Sequence, residues 1–134
     1  MANQLVVTQS LTQQMMDAGA DLVRTLDSDK LKISAALWFY LESSDTWRLF
    51  IASPDVQSQG PKKTYERIQE ALGRNVNAVR IALRDISVVP PDDPLIALLR
   101  VAIKTGASDV SGIRFSRNTI NGQFIQDAYI YRLI

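Results

Sequence analysis

Residues 114 to 132 read RFSRNTINGQFIQDAYIYR. Asn121-Gly122 at their centre decides the local fold. A two-residue hairpin turn of type I′ needs positive φ at both central positions, and Asn-Gly is the dipeptide that supplies it most readily. The stretch is therefore a hairpin, spanning residues 112 to 133. Pairing follows by counting outward from the turn: Ile120 faces Gln123, Asn118 faces Ile125, Ser116 faces Asp127 and Arg114 faces Tyr129. Because side chains alternate along a strand, these pairs share one face, and Tyr131 joins them. Ile113, Phe115, Phe124, Ala128 and Ile130 fall on the other face, the core side. Arg117 and Gln126 interrupt that core side near the turn.

A second hairpin lies earlier in the chain. KISAALWFYL (32–41) and TWRLFIAS (46–53) are rich in aromatic and β-branched residues and flank the turn formers of ESSDT. Pairing Leu41 with Trp47 puts Ala35, Leu37, Phe39, Leu41, Trp47, Leu49 and Ile51 on a core face. The opposite face then holds Ala36, Trp38, Tyr40, Arg48 and Phe50, a composition too aromatic for a bare solvent face.

Around the hairpins the pattern changes to helical. Leu11, Met15, Ala18, Leu22 and Leu26 recur at spacings of three and four, which predicts a helix over 9–26. Pro61 opens a second helix, KKTYERIQEAL, with an apolar line through Tyr65, Ile68 and Leu72 and a stop at Gly73. RNVNAVRIAL is ambiguous between helix and strand. ISVV (86–89) is a short apolar strand, expected at the centre of a sheet. Asp92 or Asp93 caps a third helix that starts at Pro94 and runs to Gly106. The order is α-β-β-α-β-α-β-β. It predicts one α+β domain over residues 1–134, with a mixed or mostly antiparallel sheet of about five strands and helices packed on it.

Composition removes several functions. The chain of 134 residues has no cysteine and no histidine. Disulfides, thiolate metal sites and cysteine nucleophiles are thereby absent, as is the usual base near neutral pH. A net charge of +1 offers no general attraction to nucleic acid or an anionic membrane. The opening MANQLVVTQS lacks the basic and apolar regions of a signal peptide, and no apolar run is long enough to span a bilayer. A soluble, cytoplasmic protein is the expectation.

Motifs for chemistry are likewise few. There is no Walker A motif and no G-x-G-x-x-G, so no nucleotide cofactor is expected. Pro54-Asp55 invites a nuclease reading, but no acid stands two residues before any lysine. Asp27-Ser28-Asp29 and Asp92-Asp93 are oxygen pairs of the kind that hold Mg²⁺, yet a turn and a helix cap account for them. Glu66 and Glu70 form a solvated i, i+4 pair. Base stacking on the aromatic sheet face would want a higher Lys/Arg density than the chain has.

ISAALWFYL, WRLFIASP, YERIQEAL, DISVVPPDDPLI and SGIRFSRNTING resemble a family of small uncharacterised bacterial proteins. The resemblance covers most of residues 17 to 133. It implies an intracellular bacterial protein and carries no activity, cofactor or catalytic residue.

Two functional expectations follow. The first is a non-catalytic interaction module that self-associates or docks on a protein partner. Its surface is one open sheet face bearing Trp38, Tyr40, Arg48 and Phe50 beside Arg114, Ser116, Asn118, Asp127, Tyr129 and Tyr131. The second is a ligand-binding domain or enzyme with its polar site on the C-terminal hairpin, where Arg114 would hold a carboxylate or phosphate. Helix placement separates them: a partner interface is broad and aromatic, a catalytic site concave.

Overall fold

The computed structural model describes residues 10–75 and 81–134. Residues 76–80, the middle of the ambiguous segment RNVNAVRIAL, lie outside the described residues. The elements are α1 (Gln13–Ser28), β1 (Ala35–Leu41), β2 (Thr46–Ala52), α2 (Asp55–Gln59), α3 (Pro61–Arg74), β3 (Ile86–Val89), α4 (Pro94–Ala102), β4 (Ile113–Ile120) and β5 (Gln123–Leu133). They build an α+β fold around one five-stranded mixed sheet, ordered β3-β2-β1-β5-β4. β2 and β3 run parallel; the other neighbours are antiparallel.

Local chemistry explains the boundaries. The Thr12 hydroxyl accepts the Met15 N–H and starts α1. Pro61 occupies the first turn of α3, where its missing donor costs nothing. Asp93 caps α4 by accepting the Leu95 N–H at 3.0 Å, and Pro94 follows it. α4 ends at Ala102, short of the expected Gly106. Beyond it the backbone is claimed by β5: Thr105 N–H donates to the Leu133 carbonyl, and the Thr105 hydroxyl accepts the Leu133 N–H. Tertiary hydrogen bonds therefore override the helical propensity of this run.

The strand ISVV is not central. β3 is an edge strand, paired on one side only with β2. It is apolar because both faces of the sheet are covered there. Its outer edge is masked by Tyr65, whose hydroxyl accepts the Val88 N–H at 3.1 Å and lies 3.4 Å from the Ile86 carbonyl.

The sheet divides two cores. On one side α1 and α3 pack on Ala36, Trp38, Tyr40, Trp47, Leu49, Ile51 and Tyr131. On the other, α4 contributes Ile96 and Leu99 against Ala35, Leu37, Ala52, Ala128, Ile130 and Leu133. The first hairpin is thus paired one residue away from the expected register. Leu41 faces Thr46, and Tyr40 faces Trp47, around a four-residue loop in which Asp45 has φ +50°.

The C-terminal hairpin has the expected turn and pairing. Asn121 and Gly122 have φ of +50° and +79°, and all four counted pairs are present. Its faces differ from expectation near the turn. Arg117 takes a left-handed φ of +49°, and the alternation breaks there. Ile120 and Ile125 consequently join the α4-side core, while Phe124 is exposed.

Candidate functional site

The four aromatic and charged residues expected to share a face of the first hairpin are split by the sheet. Trp38 and Tyr40 are 2% and 7% exposed beneath α1. Arg48 and Phe50 lie on the α4 side, where Phe39 pairs with Arg48 and Leu37 with Phe50. Trp38 and Tyr40 are core residues with satisfied polar ends. The Trp38 indole donates to the Tyr131 hydroxyl at 3.0 Å, and that hydroxyl donates to the Met16 carbonyl at 2.6 Å. Burial raises the Tyr131 phenol well above its ordinary range. The Tyr40 phenol donates to Asp45, and that bond pushes its pKa up to about 12.

The polar residues of the C-terminal hairpin do come together, mainly as each other's partners. Arg114 and Asp127 form a two-pronged ion pair, with both bonds at 2.7 Å. Asp127 raises the Arg114 pKa further. The guanidinium also lies 5.7 Å from the centre of the Trp47 ring. Its fork is thereby occupied, which weakens its use as a carboxylate or phosphate clamp. Tyr129 packs edge-on against buried Tyr131, with centroids 5.4 Å apart. Ser116 and Asn118 are exposed, and Asn118 accepts the Thr119 N–H. The expected site residues are divided among core, ion pair and solvent.

The acidic pairs have structural occupations. Asp27 binds Arg132, Asp29 binds Arg74, Asp93 caps α4, and Asp92 accepts from Gln57 at 3.3 Å. The Arg74 guanidinium holds the Asp29 carboxyl below its usual range. Among the described residues there is no group of three or more acids placed to hold a metal ion.

An aromatic surface does exist, on the other side of the sheet. α4 has nine residues, too few to cover a sheet of this width. Phe39, Phe50 and Phe115 remain half-buried around the core that α4 completes. Phe39 and Phe50 meet edge to face, with centroids 6.3 Å apart. Phe124 is 57% exposed and Val101 on α4 is 61% exposed. Phe124, near the hairpin tip, lines a depression of about 160 Å³ at the end of β1 with Phe39, Tyr40, Leu41 and Gln126. Arg48 stands on the same side. It donates to the Ser87 hydroxyl and the Ile86 carbonyl, and has no carboxylate partner among the described residues. Phe39, Phe115, Phe124 and Val101 were missed as site residues because the sequence pattern assigns them to the core.

Arg132 was missed as well. It is 2% exposed and held by Asp27, the Asp109 carbonyl and the Ile33 carbonyl. A charge inside the apolar run AYIYRLI was its signal. A bulge opposite Ala36 and Leu37 puts Tyr129, Tyr131 and Arg132 all toward α1.

Compared with known proteins, the chain matches no family model, no curated protein and no solved structure.

Proposed function

We propose that the protein is a non-catalytic interaction module that docks a protein partner on the α4 side of its sheet. One observation carries the reading: a short helix leaves Phe39, Phe50 and Phe115 incompletely covered on one side. Phenylalanine has no polar end to hydrate, so grouping three of them at a surface is costly without a partner. Aromatic residues with an arginine beside them are the composition of interface centres. Arg48, bonded only to neutral acceptors, favours a partner whose apolar surface carries a carboxylate. The alternative of a polar catalytic site on the C-terminal hairpin is weaker, since Arg114 and Asp127 already neutralise each other.

The test uses Phe115→Glu, at the half-buried phenylalanine margin, and Val101→Glu, at an exposed position on α4. Each variant is melted, sized by light scattering and used to purify partners from native lysate, beside a Lys63→Glu control on α3. Loss of one partner in both variants, with melting temperatures unchanged, supports the reading. An affinity loss of about 2 kcal/mol or more is expected for a central aromatic. Loss of a dimer instead would make the occupant a second copy. Retention of every partner and of the native mass by both variants would overturn the proposal.

A further inference from the structure

A cavity of about 380 Å³ opens on the opposite side of the sheet, between the start of α1 and strands β1 and β2. We propose that it binds a small molecule carrying a protonated amine on an apolar, preferably aromatic, body. Its volume lies in the range of small-ligand pockets. Trp38, Trp47, Met15, Ala18 and Ile81 give it an apolar wall, and Asp85 stands at its polar part.

Asp85 is the residue that selects the ligand. It is half-buried, on the turn Leu83–Asp85, and its carboxylate has no hydrogen bond or ion pair among the described residues. A carboxylate partly withdrawn from water and left without a counter-charge is costly, and a bound cation offsets that cost. Two other polar groups in the lining are already engaged, and the Gln14 amide is neutral. The Thr12 hydroxyl caps α1, and the Thr46 hydroxyl bonds Ser44 at 2.7 Å. One carboxylate, with no second acid among the described lining residues, suits an ammonium and not a metal ion.

The aromatic wall agrees with this choice. Indole faces attract cations, and Trp47 already does so with Arg114. Arg114 is charge-paired with Asp127, so it does not repel a second cation strongly. The start of α1 carries partial positive charge. The amine therefore belongs at the Asp85 end, with the ring against Met15 and the indoles.

The experiment follows from the composition. The chain has two tryptophans, and both line the cavity. Benzylamine, protonated at neutral pH, is titrated against the full chain while tryptophan emission is followed; benzyl alcohol is the neutral comparison. A saturable change is expected, with the alcohol binding about tenfold more weakly. Asp85→Asn should weaken benzylamine by about tenfold and leave the alcohol unchanged. A second readout needs no variant: the labelled methyl of Met15 should shift on adding benzylamine. The proposal falls if emission does not saturate, if amine and alcohol bind alike, if folded Asp85→Asn binds benzylamine normally, or if the Met15 methyl does not move. Val101→Glu, on α4 across the sheet, should leave this titration unaltered.

Discussion

Replacing Asp27 by alanine leaves the Arg132 guanidinium buried without its counter-charge. Arg132 is 2% exposed, while the Asp27 side chain is 35% exposed. The two are joined by bonds of 2.9 and 2.8 Å. Removing one partner of a fully buried pair costs about 3–5 kcal/mol. Two features reduce that figure. Water screens the exposed part of Asp27, and the carbonyls of Asp109 and Ile33 still accept from Arg132 at 3.0 and 3.5 Å. The expected loss is therefore about 2–3 kcal/mol. A chain of this size has a total stability of about 7–20 kcal/mol, so the loss is measurable and not fatal. It corresponds to a fall of about 6–10 °C in melting temperature.

The cause is separable from simple contact loss. Arg132→Met removes the charge that needs Asp27, so Asp27→Ala in that background should cost less than about 1 kcal/mol. Urea unfolding followed by circular dichroism on wild type, both single variants and the double variant measures the cycle. If Asp27→Ala costs under about 1 kcal/mol, or if the two losses simply add, Arg132 does not depend on Asp27.

Three further outcomes are expected. Gly19→Ala should destabilise by about 1–2 kcal/mol in a thermal melt, because a Cβ there would meet the Tyr131 hydroxyl and the Trp38 indole within 2.8 Å, outweighing the helix propensity gain. Gly73→Ala, with open space around it in α3, should instead stabilise by about 0.5–1 kcal/mol; equal effects at both sites would contradict the packing. Gly122→Val should cost about 1–2 kcal/mol through backbone strain alone, since no atom stands within 4 Å; an unchanged melt would rule out the left-handed turn. Raised phenol pKa values at Tyr40 and Tyr131 mean the native chain keeps protons that the unfolded chain releases near pH 10. That contribution is complete below about pH 10 and is lost as pH rises toward about 12. The melting temperature should fall across that window, and tyrosinate absorbance of Tyr40→Phe and Tyr131→Phe variants should each lose a component that titrates above the ordinary phenol range.

The two hairpins show what the residues made legible. Asn121-Gly122 demands positive φ twice, so it specifies one turn length, and every counted pair is present. ESSDT makes no comparable demand. A loop of four or five residues satisfies its turn formers equally, and the chain uses four, with Asp45 left-handed and bonded to Tyr40. Normally the hydrophobic face corrects such an ambiguity, because a one-residue slip would expose it. Here it cannot. Helices cover both sides of the sheet, so both alternations along β1 are apolar: Ala36, Trp38 and Tyr40 toward α1, Ala35, Leu37 and Phe39 toward α4.

The same reasoning explains why the candidate surface changes sides. Alternation along β1 correctly separates Trp38 and Tyr40 from Phe39, but only the pairing decides which face of β2 joins them. Shifting it by one residue exchanges Arg48 and Phe50 for Trp47 and Leu49 as their companions. Helix length then decides exposure. α1, with 16 residues, buries Trp38 and Tyr40, while α4, with nine, completes a core around Ile96 and Leu99 and leaves the phenylalanines at its margin. α4 is short because Thr105 pairs with Leu133. A Thr105→Ala variant, which removes only the hydroxyl that accepts the Leu133 N–H, should loosen that junction by about 1 kcal/mol. Faster amide exchange at Leu133 would report it, and unchanged exchange would show that the end of α4 is set by its own residues.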